Sequence, residues 1–236
     1  MLPIIPVIDL QKNTVVRGVA GKRAEYRPIE SKLCNGSDPS AIANAFVGQF
    51  GFRTAYVADL DAIGGGEPNI AAFEALRAAG LQLWIDAGVR YVHELQPHGD
   101  VILGLESLDS PAHLAELVSQ LSNYQQAIFS LDLHKGQPWT KAPAWRGWTP
   151  REIVEQALVA GITRVIVLDV AAVGSDHGPA TLELGSMLHA RWPTLTLIGG
   201  GGVRQRDDVA SFLAAGYAAV LVASALHDSR IQPNAV

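Results

Sequence analysis

The stretch Leu195-Thr196-Leu197-Ile198-Gly199-Gly200-Gly201-Gly202-Val203-Arg204 decides how the rest of the chain is read. Leucine and β-branched residues run into four glycines, the pattern of a buried parallel strand that enters a loop with its backbone stripped of side chains. Such a turn exposes N–H groups, and a helix expected over 205–215 adds the positive end of its dipole. The stretch is either an anion site or a tight strand-to-helix turn without a ligand. A related stretch elsewhere, Ala87-Gly88-Val89-Arg90, favours the anion site.

Outward from these glycines, short apolar strands alternate with amphipathic helices. Strands are expected over 2–10, 54–59, 81–85, 101–105, 127–133, 164–170, 195–198 and 218–223. Helices are expected from Ser37-Asp38-Pro39 to about 48, over 69–79, near His93, from Ser110-Pro111 to about 121, from the capping box Thr149-Pro150-Arg151-Glu152 to about 160, and over 180–191 and 205–215. Eight βα units in 236 residues predict one α/β domain over 1–236, a TIM (βα)8 barrel with its chemistry at the C-terminal strand ends. A doubly wound open sheet is the competing arrangement.

The chain repeats itself in order. Val7-Ile8-Asp9-Leu10 is echoed by Ser130-Leu131-Asp132-Leu133, Tyr56-Val57-Ala58-Asp59 by Ile166-Val167-Leu168-Asp169, Ala87-Gly88-Val89-Arg90 by Gly201-Gly202-Val203-Arg204, and Val101-Ile102-Leu103 by Val220-Leu221-Val222. Each echo lies near half a chain length away, as duplication of a four-unit half-barrel would leave it. Asp9 and Asp132 therefore fall at equivalent strand ends, across the barrel mouth from each other. Two opposed carboxylates divide acid and base work when their surroundings push their pKa values apart, and moving hydrogen between neighbouring carbons needs that and neither metal nor cofactor. Asp59 and Asp169 form a second pair, read here as bonding loop backbone.

Composition bounds the rest. A net charge of −5 without a basic block argues against nucleic acid or an anionic membrane as partner. Neither a basic leader nor a long apolar run opens the sequence, and a lone cysteine, Cys34, fits a reducing, cytoplasmic setting. Seven histidines without ligand spacing suggest no metal site. The expected partner is a small phosphorylated molecule, bound by a monomer or small homo-oligomer.

These residues resemble the histidine-biosynthesis barrel family, which comprises the phosphoribosylformimino-aminoimidazole carboxamide ribotide isomerase and the cyclase subunit of imidazole glycerol phosphate synthase. Val7-Ile8-Asp9-Leu10 with Val16-Arg17, Val57-Ala58-Asp59-Leu60-Asp61-Ala62, Ser130-Leu131-Asp132, Arg146-Gly147-Trp148, Gly174-Ser175 with Gly178-Pro179, and Gly200-Gly201-Gly202-Val203 carry the resemblance, over about 4–231. Ala58-Asp59-Leu60-Asp61 and the Arg-Gly-Trp loop look like the isomerase branch. The resemblance implies an Amadori-type aldose–ketose rearrangement, with Asp9 as base at C2 and Asp132 as acid at the ring oxygen. It further implies Trp148 stacked on the substrate with Arg146 nearby, Arg17 at the site, and a phosphate held by Gly174, Ser175, Gly200, Gly201, Gly202, Ala223 and Ser224.

Several positions depart from the family. Asp86-Ala87-Gly88 stands where the isomerase has three glycines, and Gly104-Leu105-Glu106-Ser107 where it has Gly-Thr or Gly-Ser. Carboxylates there repel a phosphate, so the N-terminal-half site is expected not to hold one. Leu168 and Val173 replace polar family residues, and Ala223-Ser224 replaces glycine and a basic residue. Three readings stay open: the histidine-pathway isomerase; a paralogue with one phosphate site, similar to isomerase-like proteins that accompany methanopterin- and methanofuran-dependent one-carbon pathways; and a non-catalytic phosphate-ligand barrel.

Overall fold

The computed structural model describes residues 3–18, 23–95, 97–121, 125–174 and 178–233. Eight strands, β1 (Ile4–Gln11), β2 (Thr54–Asp59), β3 (Gln82–Asp86), β4 (Asp100–Gly104), β5 (Ala127–His134), β6 (Arg164–Asp169), β7 (Thr196–Gly200) and β8 (Ala219–Val222), pair in parallel in chain order. β8 returns to β1, with Ile4 opposite Val220, so the sheet closes into a barrel rather than an open doubly wound sheet. Period-2 alternation along the strands splits the core in two. Ile5, Tyr56, Ile102, Ile128, Ile166, Ile198 and Leu221 fill the barrel, while Ile8, Val57, Leu103, Phe129, Val165 and Leu197 face outward to the helices.

The main outer helices are Pro39–Ala45, Ile70–Ala78, Pro111–Ser119, Pro150–Val159, Leu182–Arg191 and Arg206–Ala214. Their starts follow the expected chemistry. Asp38 accepts from the Ser40 and Ala41 N–H groups, and Ser110 from the His113 N–H. Thr149 and Glu152 form the reciprocal capping box, with the Thr149 N–H 2.7 Å from Glu152 Oε2. The helix expected near His93 is only one 3-10 turn, Val92–Glu94. Gly88 turns the chain at φ +63° straight after β3, and Tyr91 and Val92 are exposed, so this crossover has no apolar stripe to bury.

The four glycines also need correcting. Gly199 and Gly200 belong to β7 and serve packing: a Cβ on Gly199 would lie 2.4 Å from the Phe212 ring, and one on Gly200 3.0 Å from Leu168. Only Gly201 and Gly202, at φ +85° and +75°, form the turn, Gly201 half-buried and Gly202 buried.

The duplication is visible in the register. Asp9 lies opposite Ala58 and Ala58 opposite Asp86, while Asp132 lies opposite Leu168 and Leu168 opposite Gly200. Each half also folds an antiparallel strand onto its first strand, Thr14–Arg17 on β1 and Gln137–Pro138 on β5. Asp169, buried at the end of β6, accepts the Lys135 and Gly136 N–H groups at 3.1 and 2.7 Å and that of Ala171 at 3.0 Å. Asp59 accepts from Ala62 and from the backbone and side-chain amides of Asn69. Both aspartates thus hold loop backbone at the barrel mouth. Asp169→Ala, which orphans three donors, is expected to cost about 2–4 kcal/mol of unfolding free energy in urea titration.

Candidate active site

A cavity of about 550 Å³ opens at the C-terminal ends of the strands. Asp9, Arg17, Asp132, Gly174, Gly201, Gly202, Ala223 and Ser224 all line it, brought together from both halves. Gly200 sits beneath them in β7, and Ser175, with Asp176 and His177, lies outside the described residues. Arg146 and Trp148 do not line the cavity. Arg146 is exposed, and Trp148 packs edge-on against Trp145, ring centroids 5.6 Å apart. Trp145 is the buried member of that loop, its indole N–H donating to the Leu108 carbonyl at 2.9 Å. The tryptophan at the cavity is Trp139, which follows the strand Gln137–Pro138.

Among the carboxyls that line the cavity, Asp132 is the buried one. Its carboxyl is 8% exposed, receives the Ser130 hydroxyl at 2.8 Å and the Glu106 backbone N–H, and lies close to Asp86 and Glu106. Burial first, then the neighbouring Asp86 charge, push its pKa up to about 8. Asp9 stands on β1 at the matching position, with Gly18 close above it: a Cβ there would come within 2.8 Å of the Asp9 carboxylate. Tyr56, inside the barrel, donates to Asp86 Oδ2 at 2.8 Å, and its phenol is held well above its ordinary pKa by burial and by Asp86, Asp132 and Asp9. The N-terminal half of the cavity therefore gathers the carboxyls of Asp9, Asp86 and Glu106, with Arg90 lining the same half.

The sign of the Asp132 shift is testable. The folded protein keeps a proton that the unfolded chain has released, so folding takes one up between the ordinary value of 3.8 and about 8. This contribution to stability is full below that window and lost as pH rises through it. Asp132→Asn is expected to remove it, so that the Tm of the variant gains on the parent between about pH 5 and pH 8.5 in thermal scans.

Arg17, Arg204 and Arg230 line the cavity already paired with carboxylates. Arg17 binds Asp228 through both terminal nitrogens, at 2.6 and 3.2 Å, and Arg230 meets the same carboxylate at 3.1 Å. Arg204 pairs with Asp208 at 3.0 Å. The helix N-terminus expected to face an anion is already occupied, since Asp208 accepts the Arg204 and Gln205 N–H groups at 2.8 and 3.2 Å. What the C-terminal half offers instead is the Gly201–Gly202 turn beside Ala223 and Ser224, where the short helix Ser224–His227 begins. Gly202 tolerates no side chain, because a Cβ would lie 2.0 Å from the Gly178 carbonyl oxygen. Leu168 and Val173 give the cavity apolar patches.

Tyr56, Trp139 and Arg230 line the cavity without having had a role at the site from sequence, and Arg204, from the deciding stretch, lines it with them. Tyr56 had a usable signal: two residues before Ala58 on the same strand, it shares the inward face. Arg230 had none, because only closure of β8 on β1 brings it beside Arg17.

Among the described residues no helix is long and apolar enough to cross a membrane. The family model described as Histidine biosynthesis protein matches residues 3–232. An uncharacterized protein of Methanocaldococcus jannaschii is 29% identical over 228 residues, 96% of this chain and 93% of that one. Two proteins named 1-(5-phosphoribosyl)-5-((5-phosphoribosylamino)methylideneamino)imidazole-4-carboxamide isomerase are similarly close. That of Moorella thermoacetica is 29% identical, covering 87% of this chain and 84% of its own, and that of Prochlorococcus marinus is 30% identical, covering 98% and 90%. With a closed barrel of two matching halves and a match over almost its whole length, the chain belongs to the histidine biosynthesis protein family of (βα)8 barrels.

Proposed function

We propose that the protein is an aldose–ketose isomerase that performs an Amadori-type rearrangement on a phosphorylated aminosugar, with Asp132 as acid and Asp9 as base. The observation that carries this reading is the contrast at the two matching strand ends. Asp132 is buried, hydrogen-bonded by Ser130 and pressed by Asp86 so that it keeps its proton near neutrality, while Asp9 faces the cavity beneath Gly18. On this reading Asp132 gives a proton and Asp9 takes one.

Asp132 gives its proton to the ring oxygen as the C1–O bond breaks, and the nitrogen lone pair on C1 forms C1=N. Asp9 takes the proton from C2, and the electrons of that C–H bond make C1=C2 as the C1=N pair returns to nitrogen. The C2 hydroxyl of this enolamine then returns a proton to Asp132 while Asp9 delivers its own to C1, leaving a C2 ketone and both carboxyls as they began. The phosphate lies against Gly174, Gly201, Gly202, Ala223 and Ser224, with the Arg17 and Arg230 guanidiniums on the same side. The isomerase names of the Moorella and Prochlorococcus relatives support the reaction class.

The test is NMR-monitored ketose formation by purified protein from aminoaldoses carrying one or two phosphates, with Asp9→Asn as control. Ketose formed by the parent and not by the variant is the expected result. A folded protein that converts neither substrate overturns the reading.

A further inference from the structure

The two halves differ most where they should be most alike. In register, Asp86 holds the place of Gly200, and Ala58 that of Leu168. A side chain at Gly200 would collide with Leu168 and crowd Leu221, at 3.0 and 3.3 Å. The small Ala58 leaves room at Asp86, so the N-terminal half has exchanged a glycine turn for a carboxylate without a packing conflict. The turn itself is reshaped. Gly201 lies at φ +85°, whereas its counterpart Ala87 is buried and is not among the residues at positive φ. Gly88, the counterpart of Gly202, donates its N–H to Asp86 Oδ1 at 3.2 Å, and Tyr56 donates its hydroxyl to Asp86 Oδ2 at 2.8 Å. After the fourth strand, fully buried Leu105 stands where Ser224 lines the other half, and Glu106 follows it into the cavity.

Resting on the isomerase reading above, we infer that Asp86 is a specificity-determining residue. Its carboxylate fills the anion position of the N-terminal half, so that the ligand carries a single phosphate and presents hydrogen-bond donors, hydroxyl or ammonium, at its other end. The Gly88 N–H and the Tyr56 hydroxyl, two donors at this strand end, are both spent on Asp86. A phosphate there would also sit against the Asp86 and Glu106 charges in a partly enclosed cavity, where repulsion is weakly screened. Donor groups on a neutral or cationic end meet acceptors instead.

Calorimetric binding tests this without turnover, using ribose 5-phosphate, glucosamine 6-phosphate and ribulose 1,5-bisphosphate as probes. The parent is expected to take one monophosphate per chain and to bind the bisphosphate about tenfold more weakly than the tighter monophosphate. Which monophosphate wins identifies the donor as hydroxyl or ammonium. Asp86→Gly is expected to raise bisphosphate affinity by about tenfold or more and to weaken the preferred monophosphate by about threefold or more, since its donor end loses the carboxylate, and Asp86→Asn, which keeps the volume, raises bisphosphate affinity in the same direction. A parent that prefers the bisphosphate, or folded Asp86 variants that gain nothing for it, overturns the inference. The titration on the parent needs no turnover, so a failed binding preference and a failed ketose assay report on this inference and on the isomerase reading separately.

Discussion

Asp132→Asn is expected to lower kcat about a thousandfold or more on the isomerised substrate, with KM changed far less. Asparagine keeps the shape and the Ser130 hydroxyl as neighbour, but it has no proton to give to a ring oxygen. Asp9→Asn should cost a comparable factor by removing the base, and the two losses combined should fall well short of their product, because acid and base serve one transition state. The pH profile distinguishes this from a structural effect. With Asp132 held at about 8, kcat/KM should fall on the alkaline side near that value. The Asp86 charge is the second cause of the shift after burial, so Asp86→Asn should move the alkaline limb to lower pH. A limb that stays in place would remove Asp132 from the acid role.

The second large effect is on stability. Trp145→Ala is expected to cost about 3–5 kcal/mol, read as the shift in urea midpoint at constant slope. The side chain is fully buried, its indole N–H satisfies the Leu108 carbonyl, and Trp148 packs on its ring. Truncation leaves both a cavity and an unpaired carbonyl. Trp145→Phe keeps most of the volume and should cost about 1–2 kcal/mol for the lost bond. The Trp145 backbone N–H bonds the Ala142 carbonyl at 3.2 Å, just beyond Trp139, Thr140 and Lys141 at the cavity, so Trp145→Phe is expected to raise KM more than it lowers kcat.

Much of this protein is written locally. Alternating apolar strands and capped helices predict the elements because each depends on neighbours within a few residues: Asp38, Ser110 and the Thr149–Glu152 box each bond backbone in the next turn. The half-chain echo went further and paired Asp9 with Asp132, since duplicated halves keep equivalent residues in equivalent register. Within single elements the reading failed where local pattern and packing part company. The crossover after β3 has too little apolar surface for a helix, and Gly199 and Gly200 belong to the strand because Phe212 and Leu168 press on them, which no run of glycines reveals.

The sequence by itself determined the barrel, its twofold repeat, and the two aspartates at its mouth, all consequences of periodicity and repetition along the chain. Only the tertiary structure decided which residues share the cavity and how burial and neighbouring charges act on them. Trp139 rather than Trp148 reaches it because Trp148 is taken up by packing on Trp145, and Arg230 joins Arg17 on Asp228 because β8 closes against β1. The Asp132 pKa is pushed up because closure buries its carboxyl and sets Asp86, far away in sequence, close enough for charges to repel. Desolvation and Coulomb repulsion depend on distance in space, and a linear sequence does not contain that distance.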